Sequence, residues 1–397
     1  MPAAREALFS SRFFLMCGFS FTVFLSVFTL LPTTPFRILA LGGSTLSAGL
    51  FLGFLTYASA LSAPVTGALA DRIGKRRMLV TCGLALAGFF TAYGLAQGYR
   101  VLLGVALVHG IFWSGLLAAS AAYMTDLIPE SRRAEGMGYW GLAGITAVAM
   151  APALGFWLYE HSWRLLCGVN AALSLVMAGI ALCLDEPNVR AAAPPLGGWR
   201  GLVEWRVLRL SVALFLYSFG YGGITSFVAL YADRNGVSPK GIYFIALSAV
   251  MLLTRPFLGR LADQVGHRKV LMPCLVAIAA GLALLAGGGT RGWLLASALV
   301  FGTGFGTAYP VYVAYLMRHV DPRRRGAAFG GILAAFDTGV GSGSIVLGWI
   351  ISHAGFRVAF AVAAVLAALS LPYFVLAERK LLGPDTRLAV DRAASRQ

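Results

Sequence analysis

The chain has 397 residues, of which 58% are hydrophobic and only 12% are charged, and its mean hydropathy is +0.78. So little polar surface excludes a water-soluble globule of this length and predicts that lipid solvates most of the protein. The formal charge of +16 does not indicate nucleic-acid binding, because neither a clustered basic face nor a known binding fold is present. The five cysteines all fall in apolar runs without CxxC spacing, which predicts packing residues.

Twelve apolar runs have the length needed to cross a bilayer, about 20 residues. The first is longer than the apolar part of a signal peptide, and no small-residue cleavage site follows it, so we interpret it as an uncleaved first helix. The runs are 11–31, 43–70, 78–97, 99–124, 136–159 and 162–184, then 209–231, 239–262, 269–288, 292–318, 326–352 and 356–377.

The stretch between the sixth and seventh runs divides the chain. Its prolines and paired glycines are typical of a linker, and it is too polar to span a membrane. We therefore expect an N-terminal six-helix half at 1–184, a cytoplasmic linker at 185–208, and a C-terminal six-helix half with a short cytoplasmic tail at 209–397. The predicted fold class is an all-α membrane protein.

Basic residues are distributed unevenly between the two sets of connecting segments. With the N-terminus assigned to the cytoplasm, the inside segments hold 24 Lys and Arg residues, the outside segments hold 7, and Arg255 lies within a helix. Cytoplasmic loops are enriched in Lys and Arg. This bias predicts that both termini are cytoplasmic.

The two halves repeat one another. The segment GALADRIGKRR at 67–77 recurs 192 residues later as GRLADQVGHRK at 259–269. A constant displacement predicts a duplicated six-helix unit, as in many transporter folds. Further matches at an offset of 193 are Pro129 and Pro322, Arg132 and Arg325, Gly138 and Gly331, Gly155 and Gly348, and Arg164 and Arg357.

The first copy of this segment resembles the signature loop of the major facilitator superfamily. The resemblance implies two pseudo-symmetric six-helix bundles, and a loop that latches them in the outward-facing state. Alternatively, the loop only sets topology, since its basic run favours an anionic cytoplasmic surface. Gln264 and His267 stand where the first copy has Arg72 and Lys75, so the second latch is expected to be weaker. The predicted latch residues are Gly67, Asp71, Arg72, Gly74, Arg76, Asp263, Gly266 and Arg268.

The fifth helix resembles that of the twelve-helix drug and metabolite antiporters of this superfamily. Gly138, Pro152 and Gly155 fit their pattern of small residues, whereas Ala147, Ala151 and Phe156 replace other glycines. Small residues at these places permit tight packing across a helix interface. The pattern therefore gives modest support for export.

The fourth helix departs from the antiporter pattern. Ala106 stands where such transporters usually have an arginine, and His109-Gly110 replaces the Gln-Gly pair. This difference puts the usual proton-linked role of the helix in doubt. His109 lies near the middle of the helix, where it is either a proton or substrate group or a hydrogen-bonded structural histidine.

Two ionisable residues lie inside predicted membrane helices, where such groups are costly and indicate function. Arg255 in the eighth helix lies about 12 Å inward from Asp263, and Asp337 lies about 17 Å from the start of the eleventh helix, at 1.5 Å per residue. We hypothesise an Arg255–Asp337 pair whose carboxylate exchanges a proton or contacts substrate. A permanent structural ion pair is the alternative.

Aromatic residues are predicted to form the wall of a central cavity. Those of the tenth helix are three apart, hence on one slowly drifting face, and Pro310 is expected to bend that helix. An aromatic wall suits an amphipathic or cationic organic substrate better than a small inorganic ion. The predicted wall comprises Trp113, Trp140, Tyr217, Tyr221, Tyr309, Tyr312 and Tyr315.

These features favour a secondary transporter that is not an enzyme, because no Walker sequence, metal cluster or hydrolytic triad is recognisable. The favoured hypothesis is proton-coupled export of a drug-like compound or metabolite by alternating access. An importer or facilitator of the same fold is one alternative, and a non-transporting membrane sensor or scaffold is another. We expect no cofactor, no metal and no nucleic acid. We also expect a small organic substrate, protons as coupling ions, and a monomer in a bacterial inner membrane.

Overall fold

A computed structural model describes residues 8–129, 132–186, 205–320 and 325–381. Most of the predicted linker and the predicted tail lie outside these residues. The first helices are α1 (Ser11–Leu30), α2 (Thr34–Ala40), α3 (Thr45–Ile73), α4 (Lys75–Leu95), α5 (Tyr99–Leu127), α6 (Arg133–His161) and α7 (Trp163–Leu182). The later helices are α8 (Trp205–Leu210), α9 (Val212–Arg234), α10 (Ile242–Val265), α11 (His267–Gly287), α12 (Arg291–Met317) and α13 (Arg325–Leu381).

Ten helical stretches of the described chain are long and apolar enough to cross a membrane. One of them, α13, has 57 residues and is interrupted at Gly355, whose φ of 83° and ψ of 174° are not helical. It therefore contains two spans joined by one residue. Helix α10 adds a shorter apolar stretch, Ile242–Arg255. These helices agree with the twelve predicted spans, and the bounds differ by a few residues.

Side-chain caps fix where several spans begin. The hydroxyl oxygens of Ser10, Ser44 and Ser162 accept hydrogen bonds at 3.2 Å from backbone N–H groups in the first turns of α1, α3 and α7. Such caps satisfy donors that a helix leaves unpaired at its start. Helix α2 was not predicted. It has seven residues, too few to resemble a span, and Pro35 lies at its start.

The described residues form two compact units. Of the described residues, unit 1 contains those up to 186 and Pro239–Ser248, and unit 2 contains 205–238 and 249–381. The boundaries predicted at 184 and 208 stay a prediction, because residues 187–204 are outside the described part.

In unit 1, α1 packs against α6 and α7, α3 against α5, and α4 against α5 and α7. A buried hydrogen bond joins two of these helices, from the Thr29 hydroxyl of α1 to the Asn170 side-chain oxygen of α7, at 2.9 Å. A Cβ added at Gly155 of α6 would clash with the Thr29 carbonyl oxygen. Gly155 therefore permits a close approach of α6 to α1.

In unit 2, α9 packs along the first part of α13, and α11 packs against α12 and α13. The α9–α13 contact is unusually close, because a Cβ added at Gly222 or Gly343 would overlap a carbonyl oxygen of the facing helix. The hydroxyls of Ser226 and Ser344 are 2.7 Å apart across it. Small residues and hydroxyl pairs of this kind hold membrane helices together without a large apolar side chain.

Candidate functional site

The two signature segments have the same backbone geometry. Each consists of two helices joined by a single glycine, Gly74 between α3 and α4 and Gly266 between α10 and α11. Gly74 has φ 100° and ψ 141°, and Gly266 has φ 100° and ψ 137°. Residues with a Cβ rarely adopt this region. The two glycines therefore allow the same sharp turn in both halves.

A carboxylate lies against the first of these turns. Glu186, just after α7, accepts a hydrogen bond from the Arg76 backbone N–H at 3.3 Å, and a Cβ at Gly74 would lie 2.6 Å from the Glu186 Oε1. The Arg76 guanidinium donates to the Leu182 carbonyl at 2.7 Å. The Tyr123 hydroxyl donates to the Asp185 carbonyl at 3.1 Å. The signature segment is thereby tied to the end of α7, and Tyr123 ties α5 to the same end.

In the second unit the residues at the same positions are joined by different contacts. The Arg268 Nε donates to Glu378 at 2.8 Å, and the Glu378 side chain is only 6% exposed. The Tyr315 hydroxyl donates to the other oxygen of the same carboxylate. Both oxygens of this nearly buried acid therefore have partners, as a buried charge requires.

Sequence reasoning missed this cluster, although the repeat contains it. Arg268, Glu378 and Tyr315 stand 192 residues after Arg76, Glu186 and Tyr123, the same offset as the signature segments. We name these two sets the Arg–Glu–Tyr clusters. Testing every polar residue at this offset would have found them.

One contact of the first signature segment has no counterpart in the second. Lys75 forms an ion pair with Asp126 of α5. At the same offset, the second half has His267 in place of Lys75 and Arg318 in place of Asp126, and these two residues do not form an ion pair. The expectation of a weaker second latch stays a prediction, because the second segment has the Arg268–Glu378 ion pair instead.

The remaining predicted latch residues are less constrained. Asp71 and Arg72 are exposed at the end of α3, and a Cβ at Gly67 would meet nothing within 4 Å. The side chain of Asp263 lies outside the described residues. A latch formed by these residues stays a prediction.

Asp337 is half-buried near the middle of the first span of α13. It is close enough to Tyr309 of α12 to interact electrostatically, and the ring of its neighbour Phe336 lies 5.1 Å from the Tyr309 ring. The Ser218 hydroxyl of α9 donates to the Phe336 carbonyl at 3.2 Å. The α9–α13 contact thus fixes the backbone beside this carboxylate.

Arg255 is half-buried in α10. The ion pairs that the structure shows include Arg12–Asp185, Lys75–Asp126, Arg132–Glu135 and Arg268–Glu378. The Arg255–Asp337 pair stays a hypothesis.

The three tyrosines of α12 do not share one environment. Tyr309 faces Phe336, whereas the rings of Tyr312 and Tyr315 lie 5.9 Å and 5.7 Å from Phe374. Three-residue steps drift by 60° each, so the direction changes by about 120° from Tyr309 to Tyr315. Of these three tyrosines, only Tyr309 therefore lies beside Asp337 and Phe336.

The other predicted wall residues divide between the units. In unit 2, the Tyr221 ring stacks on Phe305 at 4.2 Å, and Tyr217 is fully buried with its ring 6.3 Å from Phe305. In unit 1, Trp113 packs edge-on against Phe24 at 6.0 Å, and Trp140 is half-buried. Tyr221, Tyr309, Phe336 and Asp337 form a half-buried face of unit 2, which we call the Asp337 face.

His109 lies in an aromatic environment. Its Nδ1 is 3.1 Å from the Tyr93 hydroxyl of α4, its ring stacks on Phe89 at 5.6 Å, and Phe90 lies edge-on at 5.8 Å. The side chain is fully buried between α4 and α5. These contacts favour the structural alternative.

The exposed Gly138 has nothing within 4 Å of an added Cβ, and Pro152 is buried in α6.

A sequence profile of the Major Facilitator Superfamily matches residues 15–254 and 210–391, nearly the whole chain. The chain belongs to the major facilitator superfamily. This is a superfamily of transporters, so the chain is a multi-pass membrane transporter and not an enzyme. Among the described residues, no three His, Cys, Asp or Glu side chains converge as metal ligands do.

Relatives within the superfamily align along most of their length. The uncharacterized MFS-type transporter YhhS of Escherichia coli is 26% identical over 385 residues, which cover 93% of each chain. The YhhS protein of Salmonella typhimurium is 26% identical over 381 residues with the same coverage. The MFS transporter described here therefore spans the same region as these proteins.

Solved structures share its fold. The nucleoside transporter NupG has a TM-score of 0.72 and 18% identity, covering 94% of this chain and 100% of its own. A bacterial homolog of the human lysosomal transporter Spinster, inward-facing and occupied, gives 0.76 and 18%, covering 92% and 96%. The human organic anion transporter MFSD10 gives 0.72 and 18%, covering 91% and 98%. At this identity, the likeness shows the MFS fold alone.

Proposed function

We propose that this MFS transporter exports a small organic molecule, a drug-like compound or metabolite, in exchange for protons. Transport proceeds by alternating access between the halves 1–184 and 209–397. The protein acts as a monomer in a bacterial inner membrane, with both termini and the linker in the cytoplasm. The inside bias of basic residues supports this orientation.

The observation that supports this function best is the Asp337 face. A carboxylate inside a membrane helix is energetically costly, and such residues mark substrate or ion pathways. Asp337 lies half-buried beside Tyr309 and Phe336, so a proton and an aromatic or cationic organic molecule have contact groups side by side. In our proposal, Asp337 releases its proton when substrate binds and recovers it after substrate leaves.

An importer or facilitator of a small metabolite is the second candidate within the superfamily. Ala106 replaces the usual antiporter arginine, and it is fully buried in α5, which favours this candidate. The titles of the related structures name nucleosides and organic anions for those proteins. At 18% identity they do not select a substrate for this one. A non-transporting sensor is disfavoured by the half-buried Asp337 and Arg255.

Proton movement in proteoliposomes tests the proposal. Purified protein is reconstituted with a pH-sensitive dye inside, and cationic, neutral and anionic organic compounds are added in turn. We expect a subset of compounds to drive proton flux opposite to their own movement, and Asp337→Asn to abolish that coupling because the amide cannot ionise. Glu160→Gln, at an exposed helix end of α6, is the matched control and retains coupling.

The alternatives give different results. Compound flux without proton movement, equal in wild type and Asp337→Asn, would establish a facilitator. Proton-coupled uptake in cells, in place of loss from cells, would establish an importer. Absence of flux for every compound class, in protein that remains folded and monodisperse, would contradict transport.

A further inference from the structure

A lipid-facing groove runs between α11 and the second span of α13, which pack against each other. It has a volume of about 420 Å³ and is lined only by Leu, Val and Ala side chains, including Val276, Ala280 and Ala283 of α11 and Ala364, Val365 and Ala368 of α13. The lining offers no hydrogen-bonding side chain. A polar transport substrate therefore has nothing to bind here.

The corresponding helices of unit 1 approach directly. A Cβ added at Gly83 of α4 would lie 3.0 Å from the Ala178 Cβ of α7. At the offset of 192, Leu275 replaces Gly83, and this larger side chain is buried at the start of the groove. Leu275 therefore stands where unit 1 has the close contact of Gly83 with Ala178, and the small alanines that follow line the groove.

The groove runs about 12 Å along α11, from Leu275 to Ala283. Its lining is entirely aliphatic, so an occupant that is itself a hydrocarbon buries the most apolar area there. A lipid acyl chain fills such a groove without leaving a polar group unpaired.

Cations flank one end of the groove. The Arg268–Glu378 ion pair joins α11 to α13 there. Lys269 lies seven residues before Val276 on α11, and Arg379 lies eleven residues after Ala368 on α13. At about 100° per residue, each spacing is within about 20° of a whole number of turns. Lys269 and Arg379 therefore lie on the same side of their helices as these groove residues. Both side chains are exposed. Because Arg268 and Tyr315 already satisfy Glu378, the two exposed cations leave a net positive charge.

We propose that this groove binds an anionic phospholipid, with one acyl chain in the groove and its phosphate against Lys269 and Arg379. Lys269 lies about 9 Å beyond Leu275, and Arg379 about 12 Å beyond Leu371, measured along their helices. Long cationic side chains at a helix end reach the headgroup level while their stems cover apolar surface. The site belongs to unit 2 alone and is independent of the transported substrate.

Native mass spectrometry of the full chain in a neutral detergent tests the site. With added phosphatidylglycerol, we expect one lipid to stay bound at activation energies that remove phosphatidylcholine. The charge variant Lys269→Gln/Arg379→Gln and the groove-filling variant Ala280→Leu/Ala368→Leu each lose this lipid or bind it at least tenfold more weakly. Arg77→Gln, which removes an exposed cation of the repeat position in unit 1, keeps it.

Three outcomes would overturn the proposal. Equal retention of phosphatidylglycerol and phosphatidylcholine by wild type would show nonspecific lipid. Unchanged phosphatidylglycerol binding in the groove-filling variant would place the lipid elsewhere. A wild-type dimer that the groove-filling variant converts to monomer would show that a second copy covers the groove. All four altered positions face lipid or solvent. Thermal stabilisation of wild type by phosphatidylglycerol, but not by phosphatidylcholine, is the measurement that needs no variant.

Discussion

Arg268 and Glu378 are 110 residues apart in the chain and form an ion pair whose acid is almost fully buried. Arg76 and Glu186 have the same separation and also meet, through the Arg76 backbone N–H. In both units, the end of the last helix of the half is thereby joined to the turn of the signature segment. The signature motif is thus one part of a larger structural element in each half.

Loss of the buried acid should destabilise the protein more than loss of an exposed one. Glu378→Gln leaves Arg268 without its ion partner, and we expect the unfolding free energy to fall by about 1–3 kcal/mol. Thermal unfolding in detergent measures this. Glu135→Gln, which breaks an exposed pair with Arg132, should change the unfolding free energy by less than about 0.5 kcal/mol. Equal effects of the two variants would show that burial of Glu378 contributes little.

The close α9–α13 contact should not tolerate a methyl group. In Gly343→Ala, the added Cβ would overlap the Phe219 carbonyl oxygen, so we expect a loss of about 1–3 kcal/mol in stability and reduced transport. Gly330→Ala lies on the same helix with nothing within 4 Å of the added Cβ, and it should retain both. Normal transport by Gly343→Ala would show that the close α9–α13 contact is not needed to position the backbone beside Asp337.

Substitutions of Tyr309 and Tyr315 in α12 should affect different properties, substrate KM for the first and stability for the second. Tyr309→Leu removes a half-buried ring beside Asp337, so we expect KM for an exported compound to rise severalfold with little change in melting temperature. Tyr315→Phe removes the hydroxyl that donates to Glu378, so we expect stability to fall by about 1–2 kcal/mol with KM unchanged. Transport kinetics and thermal unfolding of both variants provide the readouts. A raised KM in Tyr315→Phe would restore this residue to the cavity wall.

His109 should behave as a structural group. His109→Leu leaves the buried Tyr93 hydroxyl without its partner, so we expect a loss of about 1–3 kcal/mol and an unaltered pH dependence of transport. The double variant Tyr93→Phe/His109→Leu removes both polar groups and should be more stable than His109→Leu alone. A shifted pH profile in a fully stable His109→Leu protein would instead assign this histidine to proton handling.

The spans were predictable because each needs a long apolar run, and lipid imposes that length on every helix. Residues 99–124 and 162–184, for example, were predicted where α5 (Tyr99–Leu127) and α7 (Trp163–Leu182) lie. The short α2 does not cross the membrane and therefore lacks this constraint. Helix-to-helix partners were harder to predict, because a sequence shows the face on which a residue lies but not the helix that covers it.

In the candidate site, too, the positions of single residues were predictable, whereas their contact partners were not. Asp337 and Arg255 were evident from charge inside apolar runs, whereas whether these two side chains meet depends on how α10 and α13 are placed. Tyr315 was assigned to a cavity wall from its spacing alone, because its partner Glu378 lies 63 residues further along the chain. The internal repeat does contain long-range information of this kind, since Tyr123 and Glu186 stand in the equivalent positions.

The single-glycine junctions at Gly74 and Gly266 make connector length as important as residue identity. Most surface loops absorb an inserted residue, but here one extra residue would advance the following helix by 1.5 Å and rotate it by about 100°. Arg76 and Arg268 lie two residues beyond these glycines, so their side chains would turn away from the partners they now contact. Insertions and deletions at either junction are therefore expected to be far less tolerated than substitutions of the exposed residues beside them, such as Arg72 and Arg77.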